Sequence, residues 1–262
     1  RLHRHGDAEL ENWKSVSSSV LFSLDDALLR IPAARKRLIP DVNFSNALSA
    51  LLKEARALSA LELRIPYDIR VRCSEAKSKQ PFAVRLNDIL HAYLCSITRM
   101  SNDSGPSLVL SELKLKSQTA IRNLTTLRWG TSDSRLKEAI DCVADAVASL
   151  QSSYEVVSIA ESAIGSLCRS IAECNGDTVS QLMKDIQVHV HSVIQHPDHV
   201  NCGKWLARIN HIVQNQLRER FAILIQKWLT EARNRPTITI QVEISNNVLT
   251  FSPTLHEARL LL

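Results

Sequence analysis

Glycine and proline are scarce, 6 and 8 among 262 residues. So few turn formers exclude a fold of many short strands and point to long helices with few connections. Long apolar runs are missing too. No stretch approaches the ~18 residues of a membrane span, and the opening "RLHRHGDAELENW" lacks the apolar core of a signal peptide. No membrane insertion is expected. The six cysteines (Cys73, Cys95, Cys142, Cys168, Cys174, Cys202) form no CxxC pair and keep no regular spacing. Most sit among apolar helical residues, as buried thiols do, so a reducing cytoplasmic setting is expected rather than a disulfide framework. The charge excess is small, 32 basic against 27 acidic residues, and it is dispersed. The nearest approach to a basic stripe is "AARKRL", with Arg35, Lys36 and Arg37, which reads as a solvated helix end. No nucleic-acid partner is expected.

Phosphate-binding chemistry is also absent. "NCGKWL" holds Gly203-Lys204, but no glycine stands five positions earlier, and Trp205 replaces the Ser or Thr that would hold magnesium. No GxSxG elbow, HExxH helix or paired-carboxylate motif occurs. Catalytic and cofactor-binding residues are therefore assigned to none of the chain. The richest chemical cluster is "HVHSVIQHPDHVNC", with His189, His191, His196, His199 and Cys202, and with Asp198 as a candidate to orient a ligand. Its spacing matches no closed zinc pattern, His189 and His191 fall on different sides of a helix, and no metal site is assigned.

What the chain does contain is helical periodicity. An amphipathic helix is expected from Asp7 to about Arg30, followed by an interruption at Pro32 and Pro40. Phe44, Leu48, Leu51, Ala55 and Leu58 fall on a 4-3-4-3 stripe that Pro66 ends. A third helix is expected to open with Pro81 in its first turn, and "SNDSGPS" from Ser101 to be a loop. Leu136, Ile140, Val143, Val147, Leu150, Tyr154 and Val157 then step by fours and threes, and Ile164, Leu167 and Ile171 continue the face. Unbroken to Cys174, that helix is about 60 Å long at ~1.5 Å per residue. Ala146 falls off the stripe and is expected to face outward. A shorter helix around "DTVSQLMKDIQVHVHSVI" follows, then a long one carrying Leu206, Ile209, Val213, Leu217, Leu224 and Trp228. The four tryptophans follow helical spacing or helix ends, which suits packing better than base stacking.

Only "TITIQVEISNNVLTFSP" alternates like a hairpin. Ile238, Ile240, Val242 and Ile244 share one face, and Asn246-Asn247 suit a tight turn. That register sets Ile244 opposite Leu249 and Val242 opposite Phe251. A lone ribbon is marginal in water, so its apolar face is expected to lie on helices or on a following domain. The fold class is thus all-α, an elongated series of antiparallel helical bundles with a small β-hairpin near the C-terminus.

Five segments in order resemble the tail of the dynein heavy chains, most closely the cytoplasmic form. They are "VNFSNALSALLKEARALSALELRIP" from Val42 to Pro66, "QPFAVRL" from Gln80 to Leu86, and "LTTLRWGTSDSRLKEAI", in which Gly130 departs from the family's L-x-W-x-S pattern. "KWLARINHIVQNQLRERFAILIQKWL" and "VEISNNVLTFSPTLHEARLLL" complete the set, the last with Val242, Asn247 and Thr254 in place of the family's His, Gln and second Pro. The resemblance divides the chain into a helical segment at 1–40, a tail bundle at 41–130, a long-helix bundle at 131–235, and a hairpin leading toward the linker at 236–262. It implies a non-catalytic, cytoskeleton-associated scaffold between accessory-subunit regions and the microtubule motor. ATP and magnesium would belong to the motor of the full-length chain. Light intermediate and intermediate chains, a second heavy chain and dynactin are the partners it implies. Two other readings stand beside it: a free-standing cytosolic helical adaptor, which would leave Leu260, Leu261 and Leu262 exposed, and a metal-dependent enzyme using the histidine cluster.

Overall fold

The computed structural model describes residues 2–31, 40–174, 176–234, 241–245 and 248–252. Arg35 to Arg37, the Asn246-Asn247 pair, Ile238, Ile240 and the final leucines lie outside the described residues.

The first helix, α1 (Leu2–Ser18), is shorter than its amphipathic pattern suggests. A serine run ends it. The Ser18 and Ser19 hydroxyls donate back to the Lys14 and Val16 carbonyls, the competition that makes serine a poor helix interior. Residues up to Arg30 are then not helical. Asp26 accepts from the Ser23 N–H in a turn, and β1 (Leu29–Arg30) pairs antiparallel with β2 (Asp41–Val42). The C-terminal hairpin is therefore not alone.

Helix α2 (Asn46–Ala60) starts at Ser45, whose hydroxyl accepts from the Leu48 N–H, and it buries Leu48, Leu51, Leu52 and Ala55. It ends in a Schellman turn: Leu63 N–H bonds the Leu58 carbonyl, and Glu62 N–H bonds that of Ser59. Glu62 takes the left-handed position there, at φ 59°, where glycine is the usual occupant. Helix α3 (Tyr67–Asn102) begins directly after Pro66 and runs straight through Pro81. The expected helix start at Pro81 is thus the middle of one 36-residue helix. Burial of Ala76, Ala83, Leu86, Leu90 and Tyr93 on both sides of the proline offsets the lost backbone donor. The expected loop at Ser101 shrinks to a break at Asp103. Pro106, near the start of α4 (Ser104–Val109), needs no N–H partner at that position.

After α5 (Ser111–Leu124), α6 (Asp133–Glu173) runs unbroken for 41 residues, past Ser152, Ser153 and Gly165. Helix α7 (Gly176–Ile194) turns back along it, and α8 (Gly203–Arg233) lies beside it in the same direction. Last comes the ribbon of β3 (Gln241–Ser245) and β4 (Val248–Ser252). Its register sets Val242 opposite Phe251 and Ile244 opposite Leu249, as expected from the sequence. The main core draws on residues from Leu28 to Val213 and includes the α6 stripe; a smaller one joins Leu48, Leu51 and Ile69 between α2 and α3.

Candidate functional site: a tied spine with an open end

Helix α6 is packed from several sides, and polar ties fasten it along its length. At its start the buried Lys79 of α3 reaches Asp133 at 2.6 Å and also donates to the Thr131 carbonyl. Two turns on, Arg85 meets Asp141 at 2.5 Å. Ser149 donates to Asp198, beyond the end of α7, at 2.8 Å. Tyr154 donates to Asp103 at the α3–α4 break, 2.6 Å away, and that carboxylate holds the phenol above its ordinary pKa. Glu161 accepts from Trp205 Nε1 at 2.8 Å and Arg208 at 2.6 Å, both on α8. Exposed ion pairs are worth little each, ~0–1 kcal/mol. Their value here is geometric, because α3, the turn after α7 and α8 are each pinned at defined levels along one rod.

The expectation that Ala146 faces outward is wrong. Ala146 is buried, and its carbonyl accepts from the buried Ser117 hydroxyl of α5 at 3.1 Å. The reason is packing: α3, α5 and α7 all lie against α6, and α5 reaches Ala146, so the covered face is wider than a single stripe.

Gly105 stands where α4 meets this rod. A Cβ there would lie 1.7 Å from the Glu161 carboxylate, which Trp205 and Arg208 already hold in place. Gly105→Ala should displace that carboxylate and lower stability by about 1–3 kcal/mol, the cost of stranding buried partners. Urea unfolding of the variant checks it; an unchanged midpoint would mean that Glu161 has another place to go.

The histidine cluster is dispersed by the fold. His189 and His191 lie on α7, the latter exposed, while His196 and His199 stack in the turn beyond it, with ring centroids 4.4 Å apart. His199 is buried, with Nδ1 2.7 Å from the Val193 carbonyl, so the ring closes the end of α7. Asp198 serves Ser149 rather than a histidine ring, and Cys202 is the N-cap residue of α8. Among the described residues no three of His, Cys, Asp and Glu come together as a metal would require. Lys204 is exposed in the first turn of α8 and Trp205 is fully buried.

Burial pushes the His199 pKa down, against the pull of the Val193 carbonyl. A histidine held below its unfolded value of ~6.5 leaves the unfolded chain binding more protons as the solution is acidified. Its contribution to stability is therefore complete above about pH 6.5 and lost as pH falls toward the folded pKa. Melting at pH 7.5 and pH 5.5 should show a drop on acidification that His199→Gln reduces. Equal drops in both proteins would place the titrating group elsewhere.

The far end of the rod is open. Arg220 Nη2 donates to the Cys174 carbonyl just past the end of α6. Beyond that level α8 continues for residues 221–233, about 20 Å at 1.5 Å per residue. Phe221, Ile225, Trp228 and Leu229 recur at helical spacing on this projecting part and are exposed, Trp228 by 63%. Of the sequence stripe, Ile209 and Val213 are buried, Leu206, Leu217 and Leu224 are half-buried and Trp228 is exposed; Trp205, beside the stripe, is buried as well.

At the opposite end, two of the sequence segments meet. Trp129 is fully buried and donates Nε1–H to the Asn43 carbonyl at 3.1 Å. Its ring packs against Phe44 at 5.8 Å and Phe22 at 6.3 Å. Asn43 in turn bonds the Ala27 and Leu28 main chain. Gly130 is explained by the same crowding: its N–H meets the Leu24 carbonyl, and a Cβ would lie 3.0 Å from that oxygen. Residues 2–136, more than half of the chain, match the family described as dynein heavy chain, N-terminal region 1.

The chain belongs to the dynein heavy chains. It is 28% identical over 227 residues to the cytoplasmic dynein heavy chain of Paramecium tetraurelia, an alignment covering 86% of this chain and 5% of that one. With the cytoplasmic dynein heavy chain of Dictyostelium discoideum the identity is 21% over 225 residues, and with that of Neurospora crassa 25% over 240. The chain thus spans about 5% of the length of these dynein heavy chains, within their N-terminal tail. In this dynein tail segment, no helix among the described residues is long and apolar enough to cross a membrane.

Proposed function

We propose that this segment is a non-catalytic scaffold of a cytoplasmic dynein tail, linking the regions that bind cargo and accessory subunits to the microtubule motor. The observation that carries this reading is the pairing of a 41-residue rod, tied to its neighbours at five levels, with a helix that runs past the rod's end and leaves an apolar stripe open. A long helix fixed at intervals passes load along its axis without bending at any one junction. An open stripe at one end is what a further packed module would cover. In this reading ATP, magnesium and the microtubule contacts belong to the motor far along the same chain. The complex partners are light intermediate and intermediate chains, a second heavy chain and dynactin, in the cytoplasm on the cytoskeleton.

Hydrogen exchange compares this chain with a longer heavy chain that includes the linker. Amides at 221–233 should exchange more slowly in the longer chain, because the stripe is covered there. Equal exchange in both would remove α8 from the connection to the motor.

A further inference from the structure

Between α2 and α3 runs a groove of 490 Å³ whose charge is all of one sign. Lys53 and Arg56 line it from α2, Arg70 and Lys77 from α3, and no carboxylate lines it. All four are exposed, and none belongs to an ion pair among the described residues. The one carboxylate of α2, Glu54, accepts from Trp13 instead. The floor is apolar, formed by Leu52, Ala55, Ile65 and Cys73. Burial pushes the Cys73 thiol up, against the pull of Arg72, so the floor carries no charge. At the α2–α3 turn the groove opens into a second hollow of 470 Å³, where Arg64 adds a fifth cation beside Arg70 and Glu62 brings the one carboxylate. Exposed Leu63 and Tyr67 line that hollow.

Four unneutralised cations facing one another across an apolar floor repel each other, and the field they create is focused into the groove. The ligand that relieves this must bring negative charge at its flanks and apolar side chains at its centre. We propose that the α2–α3 groove binds an acidic amphipathic protein segment. Its carboxylates pair with Lys53 and Arg56 on one wall and Arg70 and Lys77 on the other, while its apolar residues cover Leu52 and Ile65. A nucleic acid fits less well, because the groove itself offers no aromatic ring for a base to stack on and its floor is apolar. A membrane surface would meet the rims of a concave site but not its floor.

The probe is a labelled synthetic peptide with Glu and Leu at helical spacing, added to the whole 262-residue chain and followed by fluorescence anisotropy. Binding should weaken with added salt. Lys53→Glu with Arg56→Glu, and separately Arg70→Glu with Lys77→Glu, should each weaken it by about tenfold or more. Lys137→Glu, an exposed change on α6, should leave it unaltered. Should a reversal variant melt early, the matching glutamine pair tests the same wall without adding like charge to the fold. The proposal is overturned if the peptide does not bind, or if the variants bind it as well as the parent does. It is equally overturned if oligoglutamate binds as tightly as the amphipathic peptide, or if a single-stranded oligonucleotide or phosphatidylserine vesicles bind more tightly than either.

Discussion

Trp129→Ala should destabilise this dynein tail segment by about 3–5 kcal/mol, the range for removing a fully buried large aromatic side chain from a core. Trp129 has no exposed surface and stands where three stretches of the chain meet. Phe22 comes from the segment after α1, Phe44 from the residues after β2, and the indole N–H holds the Asn43 carbonyl. The backbone beside it is engaged as well, with Trp129 N–H on the Asp26 carbonyl and Gly130 N–H on Leu24. Truncation therefore leaves a cavity, two rings that keep only each other as aromatic partner, and an unpaired carbonyl, and collapse is resisted by the surrounding hydrogen bonds. Trp129→Phe keeps most of the ring and loses one hydrogen bond, so it should cost far less, about 1 kcal/mol for the bond plus the missing volume. Denaturant midpoints of the two variants separate these terms. Hydrogen exchange should also rise across Phe22 to Phe44 and around Leu127 in the alanine variant. A loss below about 1 kcal/mol for Trp129→Ala would mean that this junction is not part of the core.

The features that sequence pattern revealed are those in which local periodicity and tertiary environment agree. The α6 stripe from Leu136 to Ile171 is buried at every position but Leu167, which is half-buried. The Val242–Phe251 pairing follows from alternation together with the expected two-residue turn at Asn246-Asn247. Where the two disagreed, packing decided. Pro81 reads as a helix start, yet buried residues on both sides carry α3 through it. Ala146 reads as solvent-facing because a single stripe assumes a single neighbour, whereas Ser117 approaches it from α5. The segment before Arg30 reads as helix because its apolar spacing is helical, but serine hydroxyls end α1 and Leu28 is buried from a turn instead. The cationic groove was invisible for another reason. Lys53 and Arg56 are separated in sequence from Arg70 and Lys77, and only the α2–α3 hairpin sets them face to face. A charge count along the chain registers them as dispersed. The open half of α8 was hidden too, since a stripe in sequence says that a face is apolar and not whether anything covers it.

Ala148→Pro should leave a full-length heavy chain able to hydrolyse ATP but less able to hold load. Ala148 is exposed on α6, so the substitution removes no core contact, whereas the same change at Ala146 would also disturb the Ser117 bond to α5. In a regular helix the residue-148 N–H bonds the Ala144 carbonyl. Proline removes that donor and its ring clashes with the same carbonyl, at a cost of roughly 3 kcal/mol and with a kink. The flanking ties determine how the rod responds. Arg85–Asp141 lies on one side of the substitution and Tyr154–Asp103 on the other, ties to α3 and to the residue that ends it, so both halves of the rod stay pinned and the kink falls between the two ties. Bending then concentrates at one point between two pinned halves, and a connection that was stiff becomes compliant. On the proposed scaffold reading the motor's nucleotide chemistry lies elsewhere on the heavy chain, so basal ATPase should be preserved. Stall force in an optical trap, measured on the same preparation, should fall. Loss of ATPase along with force, in a tail that circular dichroism shows to be folded, would mean that the segment acts on the motor rather than merely transmitting to it. An unchanged stall force would show that load bypasses α6, and the scaffold reading would then have to rest on α3 and α8.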